Sequence, residues 1–186
     1  MTGPEMEVSV MNAEANDTVN KAQELCGKLY LAAKKSKTRR FHALYDKVFR
    51  MDFLEEAWKQ VNSNKGTAGV DNGTIPDILE KGEHIVLTEI HEVLKAKKKY
   101  RPKKVKRIYI PKPDGSNRPL GIPTVRDRII QASAKKIMEP IFEADFLECN
   151  YGFRPSRGAH DALEEIRIGM NSGYRIVLDA DIKGFF

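Results

Sequence analysis

The stretch from Val105 to Ile122 constrains this chain more than any other. VKRIYI is dense in β-branched and aromatic residues, PKPDG follows it, and RPLGI resumes after Ser116-Asn117. Two strand-type runs joined by a turn predict a β-hairpin. Asp114-Gly115 is the place for the reversal, because glycine enters the positive-φ region of a tight turn without steric cost. The hairpin is also cationic. From Lys95 to Arg118 the chain carries eleven Lys and Arg against one acid, Asp114, and a smaller run from Lys34 to Arg50 holds seven bases and Asp46. One basic run is ordinary for a solvated face. Two of them flanking hydrophobic patterns point to a nucleic acid partner.

Helical periodicity lies on both sides of the hairpin. Leu25, Leu29 and Ala32 or Ala33 follow one face, Phe41, Leu44, Tyr45, Val48 and Phe49 a second, and Leu54, Ala57, Trp58 and Val61 a third. Ile85, Val86, Ile90, Val93 and Leu94 continue the pattern into the basic stretch. Aromatics at this spacing read as core rather than as a binding platform. Between them, residues 62–74 (NSNKGTAGVDNGT) read as a loop. Lys65-Gly66 does not make a phosphate-cradling Walker loop, because the order of glycine and lysine is wrong. Thr124 caps a further helix, with Asp127 completing a box-like start and Val125, Ile129, Ile130, Ala134, Ile137 and Met138 on its buried side. Pro140 is expected to end or kink it. Tyr151-Gly152-Phe153-Arg154-Pro155 is irregular, with Arg154 positioning a backbone turn or touching the nucleic acid. It leads to a helix carrying Ala159, Ala162, Leu163 and Ile166, which Gly173 breaks.

The 186 residues suffice for one medium domain or one and a fraction. No apolar run approaches the roughly 20 residues of a membrane span, and the N-terminus lacks a secretory pattern, so no membrane partner and a cytoplasmic location are expected. Cys26 and Cys149 have no metal-ligand spacing and are expected to be small buried residues.

Tyr174 to Leu178, YRIVL, is an apolar run of strand length expected in a covered sheet, and it delivers Asp179 and Asp181 at its end. In extended backbone these two carboxylates share one face. By itself Asp-x-Asp is more often a turn former or surface pair. A carboxylate at a strand tip beside a basic hairpin nevertheless suits phosphoryl transfer: hard divalent cations such as Mg²⁺ take oxygen ligands, and Arg and Lys meet a triphosphate. Ending on Gly-Phe-Phe soon after a buried strand is the pattern expected of a truncated domain.

These residues carry a resemblance. Arg40 to Tyr45, Gly69-Val70-Asp71, Tyr100-Arg101-Pro102, Ile110 to Gly115, Arg118 to Thr124, Asp127-Arg128, Glu139 to Glu143, Tyr151 to Pro155 and Asp179 to Phe186 resemble, in order, the N-terminal part of a bacterial group II intron reverse transcriptase, the maturase-type intron-encoded protein. The resemblance covers roughly Lys37 to Phe186. It implies an α+β fold in which helical N-terminal elements precede a fingers β-hairpin and the first strand of a right-hand polymerase palm. The boundaries expected are a disordered tail over 1–20, a helical N-terminal and fingers region over 21–99, fingers hairpin and helices over 100–172, and a truncated palm strand over 173–186.

By the same resemblance, Asp181 is the catalytic carboxylate that binds Mg²⁺, the backbone carbonyl of Ile182 is a further metal ligand, and Phe186 packs under the sugar. Lys112 and Arg118 match residues that contact the incoming triphosphate, and Lys106 matches a position where relatives also place a base. The implied activity is RNA-directed DNA polymerisation from deoxynucleoside triphosphates on an RNA template and DNA primer, with assistance to splicing and mobility of the group II intron RNA. The Tyr-x-Asp-Asp loop and thumb are absent from these residues, so the chain alone is expected to be inactive. The alternative is an RNA-binding maturase module that acts in splicing without synthesis. Oligomeric state is not legible.

Overall fold

The structure is a computed structural model that describes residues 21–96 and 100–182. The expected tail over 1–20, Lys97 to Lys99 of the basic run, and Phe186 lie outside the described residues. The described residues fall into two compact units that divide between Asp145 and Phe146.

The first unit holds six helices and one hairpin in chain order. They are α1 (residues 21–35), α2 (Tyr45–Val48), α3 (Met51–Ser63), α4 (Ile75–Lys81), α5 (Glu83–Lys95), β1 (Lys106–Pro111), β2 (Asn117–Ile122) and α6 (Val125–Glu143). Helix α3 sits at the centre, packed on α5 and α6. Its stripe is the one that periodicity predicts: Leu54, Ala57, Trp58 and Val61 are buried against Ile75 and Ile78 of α4, Val86, Leu87, Ile90 and Leu94 of α5, and Val125 and Ile129 of α6. The other side of α3 presents Phe53 to Ile137, Ala22 and Leu29. Each large side chain taken fully out of water contributes about 1.5–3 kcal/mol, so α3 with its two apolar sides organises this unit.

Local chemistry fixes the helix starts. Arg50 precedes α3 in extended conformation with no capping side chain, and Asp52 takes the role instead. Its carboxylate accepts the Phe53 amide at 3.0 Å and is held by the Arg50 guanidinium at 2.6 and 3.1 Å. A negative charge in the first turn also suits the helix dipole. Helix α4 was not apparent from hydrophobic spacing. It begins with a reciprocal capping box, in which Thr74 accepts from the Asp77 amide and Asp77 accepts from the Thr74 amide, with Pro76 in the first turn.

Several expectations are corrected. The stripe from Phe41 to Phe49 yields a helix only over Tyr45–Val48. Pro140 does not end α6, which continues to Glu143. Met138 is exposed although Val125, Ile129 and Ile137 are buried. Pro140 has no N–H for the Lys136 carbonyl, and the Cys26 thiol of α1 donates to that oxygen at 3.6 Å. Cys26 is thus half-buried, whereas Cys149 is exposed rather than buried.

In the second unit a turn-rich segment precedes α7 (Ala159–Asn171). Arg154 is nearly buried; its guanidinium donates to the carbonyls of Leu147 and Asn150 at 2.7 and 2.9 Å and lies over the Phe146 ring. It positions a backbone turn. Asp161 accepts the Gly158 amide at 2.7 Å at the start of α7, and Gly173, at φ 98°, follows its end. Residues 174–182 form no strand. Ile176, Val177 and Leu178 are 92, 82 and 90% exposed, so the covered palm strand expected here is not formed. A strand needs neighbours for its backbone groups, and among the described residues the only ladder is β1 with β2.

Candidate nucleotide and nucleic-acid interface

The hairpin is antiparallel, with Lys106 opposite Ile122, Ile108 opposite Leu120 and Ile110 opposite Arg118. The reversal occurs where the sequence predicts. Gly115 has φ 80°, its amide donates to the Lys112 carbonyl at 3.0 Å, and the Lys112 amide donates to the Ser116 carbonyl at 2.8 Å. The Asp114 carboxylate accepts both the amide and the hydroxyl of Ser116, which holds it below the usual carboxylate range and keeps this acid inside the turn.

Pleating then sorts the cations. Lys106, Ile108, Ile110 and Lys112 project to one side together with Arg118 and Leu120. Lys112 and Arg118 are diagonal neighbours, about 7–8 Å apart at this register, which is a spacing that a polyphosphate can bridge. Lys106 shares their side at the other end of the hairpin. All three are exposed, and among the described residues none is paired with an acid. Cations left without carboxylate partners on a two-stranded element are available to an anion.

Asp181 and Ile182 belong to the second unit. The Asp181 carboxylate is exposed and accepts the Ile182 amide at 2.8 Å; Asp179 is exposed as well. A carboxylate and a backbone carbonyl are the hard oxygen donors that a divalent ion takes. Among the described residues no three His, Cys, Asp or Glu side chains converge. The donors present fit a divalent ion in kind and supply part of a ligand set.

Sequence spacing did not reveal how the basic run is anchored. The Tyr100 hydroxyl donates to the buried carboxylate of Asp127, whose other oxygen accepts from the Thr124 hydroxyl at 2.6 Å. Burial and then the Asp127 carboxylate push the Tyr100 phenol above its ordinary range. Lys103, three residues on, pairs with Asp71 at 3.3 Å. The matching segments Tyr100-Arg101-Pro102, Gly69-Val70-Asp71 and Thr124 to Asp127 thus meet in space. Two cavities beside Asp71 and Arg126 measure about 160 and 130 Å³. Small-molecule sites usually measure about 300–1,000 Å³, so these cavities do not house a nucleotide and the open hairpin face is the candidate. Among the described residues no helix is long and apolar enough to cross a membrane.

Comparison with known proteins agrees with the sequence resemblance. Residues 110–186 match the reverse transcriptase (RNA-dependent DNA polymerase) family. The chain is 35% identical over 170 residues to protein YkfC of Escherichia coli, covering 88% of this chain and 44% of that protein. It is 36% identical over 147 residues to the group II intron-encoded protein LtrA of Lactococcus lactis, covering 78% of this chain and 24% of LtrA. A shorter similarity, 35% over 61 residues, joins it to nuclear intron maturase 1 of Arabidopsis thaliana, with 33% of this chain and 8% of that protein covered. The chain spans less than half the length of these relatives.

Proposed function

We propose that the chain belongs to the reverse transcriptase/maturase family of group II intron-encoded proteins and is the fingers and opening palm segment of an RNA-directed DNA polymerase. The whole enzyme adds deoxynucleotides to a primer on an RNA template and assists splicing and mobility of its intron. The reverse-transcriptase match over residues 110–186, which contains Lys112, Arg118 and Asp181, carries this reading. A cytoplasmic location accompanies it.

In this reading Lys112 and Arg118 hold the triphosphate, Lys106 adds charge on the same hairpin face, and the Asp181 carboxylate and Ile182 carbonyl are the protein ligands of Mg²⁺. The ion, when bound, supplies charge stabilisation to the transferring phosphoryl group. The side chain of Phe186 excludes a ribose 2′-hydroxyl by its size. One carboxylate does not complete a two-metal site, so the 186 residues do not polymerise alone.

Ultraviolet cross-linking of a radiolabelled deoxynucleoside triphosphate to the chain tests the nucleotide face. Labelling that falls in Lys112→Ala and Arg118→Ala supports it, and labelling indifferent to both overturns it. Primer extension by the purified chain would overturn the claim of inactivity. A splicing role without synthesis is favoured by the unpaired cations and by the maturase among the relatives. Its sign is intron RNA binding that falls steeply with salt.

A further inference from the structure

The smaller cavity beside Asp71 and Arg126, about 130 Å³, lies against the Tyr100–Asp127 anchor and has no part in the nucleotide reading. Its walls are apolar: Ile90 of α5 is buried, and Val93, Ile130 and the Tyr100 ring complete them. A cavity of roughly 150 Å³ with an aliphatic and aromatic lining takes one benzene molecule, so the space here suits a single six-membered ring.

Polar groups at the two ends then decide which way a ligand lies. At the buried end stand Thr124 and Asp127, and the hydroxyls of Thr124 and Tyr100 both spend their protons on the Asp127 carboxylate. These side chains present only a negative charge and acceptor lone pairs, which repel an anionic group. The outer end is cationic. Lys103 there is engaged by Asp71 and Arg126 by Glu89, whereas Arg101 is exposed and has no acidic partner among the described residues. One guanidinium is left over, and its parallel N–H donors match a carboxylate. The neighbouring cavity of about 160 Å³ offers no such group, since its Asp77 caps α4 and its Lys81 is taken by Glu89.

We propose that the smaller cavity is a binding site for a small aromatic monocarboxylate, with the ring between Ile90, Val93, Ile130 and Tyr100 and the carboxylate on Arg101. The site is separate from the hairpin face and does not depend on the polymerase reading. A ligand seated there holds Tyr100 against α6, so its binding acts on the start of the cationic segment.

NMR titration of the methyl-labelled 186-residue chain with phenylacetate tests it. Shifts should concentrate at Ile90, Val93 and Ile130, with a Kd on the order of 1 mM for a ligand of this size. Phenethylamine has the ring with the opposite charge, and acetate lacks the ring; each should bind at least about 10-fold more weakly. Arg101→Gln should weaken phenylacetate by about 3- to 10-fold and leave neutral benzyl alcohol unaffected. Val93→Trp, on a half-exposed wall, should fill the space and abolish binding of both. Circular dichroism of Arg101→Gln should match the parent, because the substituted side chain is exposed. The site is overturned if phenylacetate shifts none of the three residues, if phenethylamine binds as tightly, or if Arg101→Gln binds phenylacetate like the parent. Nucleotide labelling through Lys112 and Arg118 is a separate readout, so failure of either claim is distinguishable from failure of the other.

Discussion

The Tyr100 hydroxyl donates to the Asp127 carboxylate, and this one bond ties the start of the basic segment to the first turn of α6. Asp127 also accepts from the Thr124 hydroxyl, while Thr124 accepts from the Asp127 amide at 3.1 Å. The cap of the helix and the anchor of the cationic segment are the same carboxylate.

Tyr100→Phe should therefore cost about 1–3 kcal/mol, because a buried charged acceptor loses one of its donors. Asp127→Ala should cost more, since it removes the cap as well. Urea unfolding of the two variants measures both losses. Equal stability of Tyr100→Phe and the parent would show that the bond contributes nothing.

Gly69 is a second point of contact with α6. A Cβ there would lie 2.7 Å from the Thr124 Cα and 2.8 Å from its nitrogen, with the Pro123 carbonyl carbon at 2.9 Å. Backbone atoms cannot swing aside as a side chain does. Gly69→Ala should destabilise by about 1–3 kcal/mol through overpacking, whereas Gly152→Ala, where nothing lies within 4 Å, should not. Thermal melts of the pair make the comparison.

Glu89 of α5 receives Lys81 of α4 at 2.5 Å and Arg126 of α6, so it joins three helices. The Lys81 hydrogen bond, followed by that of Arg126, holds its carboxyl below the ordinary glutamate value. A lowered folded value means that stability from this group is present above the unfolded value of 4.5 and is lost as pH falls through the folded one. Glu89→Gln should accordingly be less stable than the parent near neutrality and converge on it in acid. Denaturant midpoints across that range test the sign.

Cys26 and Cys149 should react at different rates. Burial raises the Cys26 thiol above its ordinary value, and its hydrogen bond to the Lys136 carbonyl orients it inward, whereas Cys149 is exposed. Thiolate is the reactive form, so a maleimide at mildly alkaline pH should modify Cys149 first. Cys26→Ala should destabilise by about 1–3 kcal/mol by leaving the Lys136 oxygen unpartnered, and Cys26→Ser should recover part of that loss. Mass spectrometry of labelling times and a urea series check the two halves.

What the sequence disclosed followed from short-range chemistry. The Asp114-Gly115 reversal, the Thr124 cap and the Leu54 to Val61 stripe are each written within a few neighbouring residues, and each is found. Helix α4 is not legible as periodicity, because Thr74-Ile75-Pro76-Asp77 marks it by capping rather than by a long apolar period. Pro140 illustrates the opposite case. Its helix-breaking tendency is local, but the Cys26 thiol that accommodates the freed carbonyl comes from α1, far away in sequence. Lys106, Lys112 and Arg118 share a side because strand parity is legible; the Tyr100–Asp127 anchor is not, since no spacing rule links residues that far apart. The run from Tyr174 to Leu178 has strand composition without strand structure, because pairing partners are a property of the surroundings.

That run also governs how the chain behaves at the bench. Ile176, Val177 and Leu178 face water with their ladder groups open, which is the arrangement that recruits strands from neighbouring molecules. Self-association should climb with concentration, and a lysine at Val177 should keep light scattering flat where the parent turns cloudy.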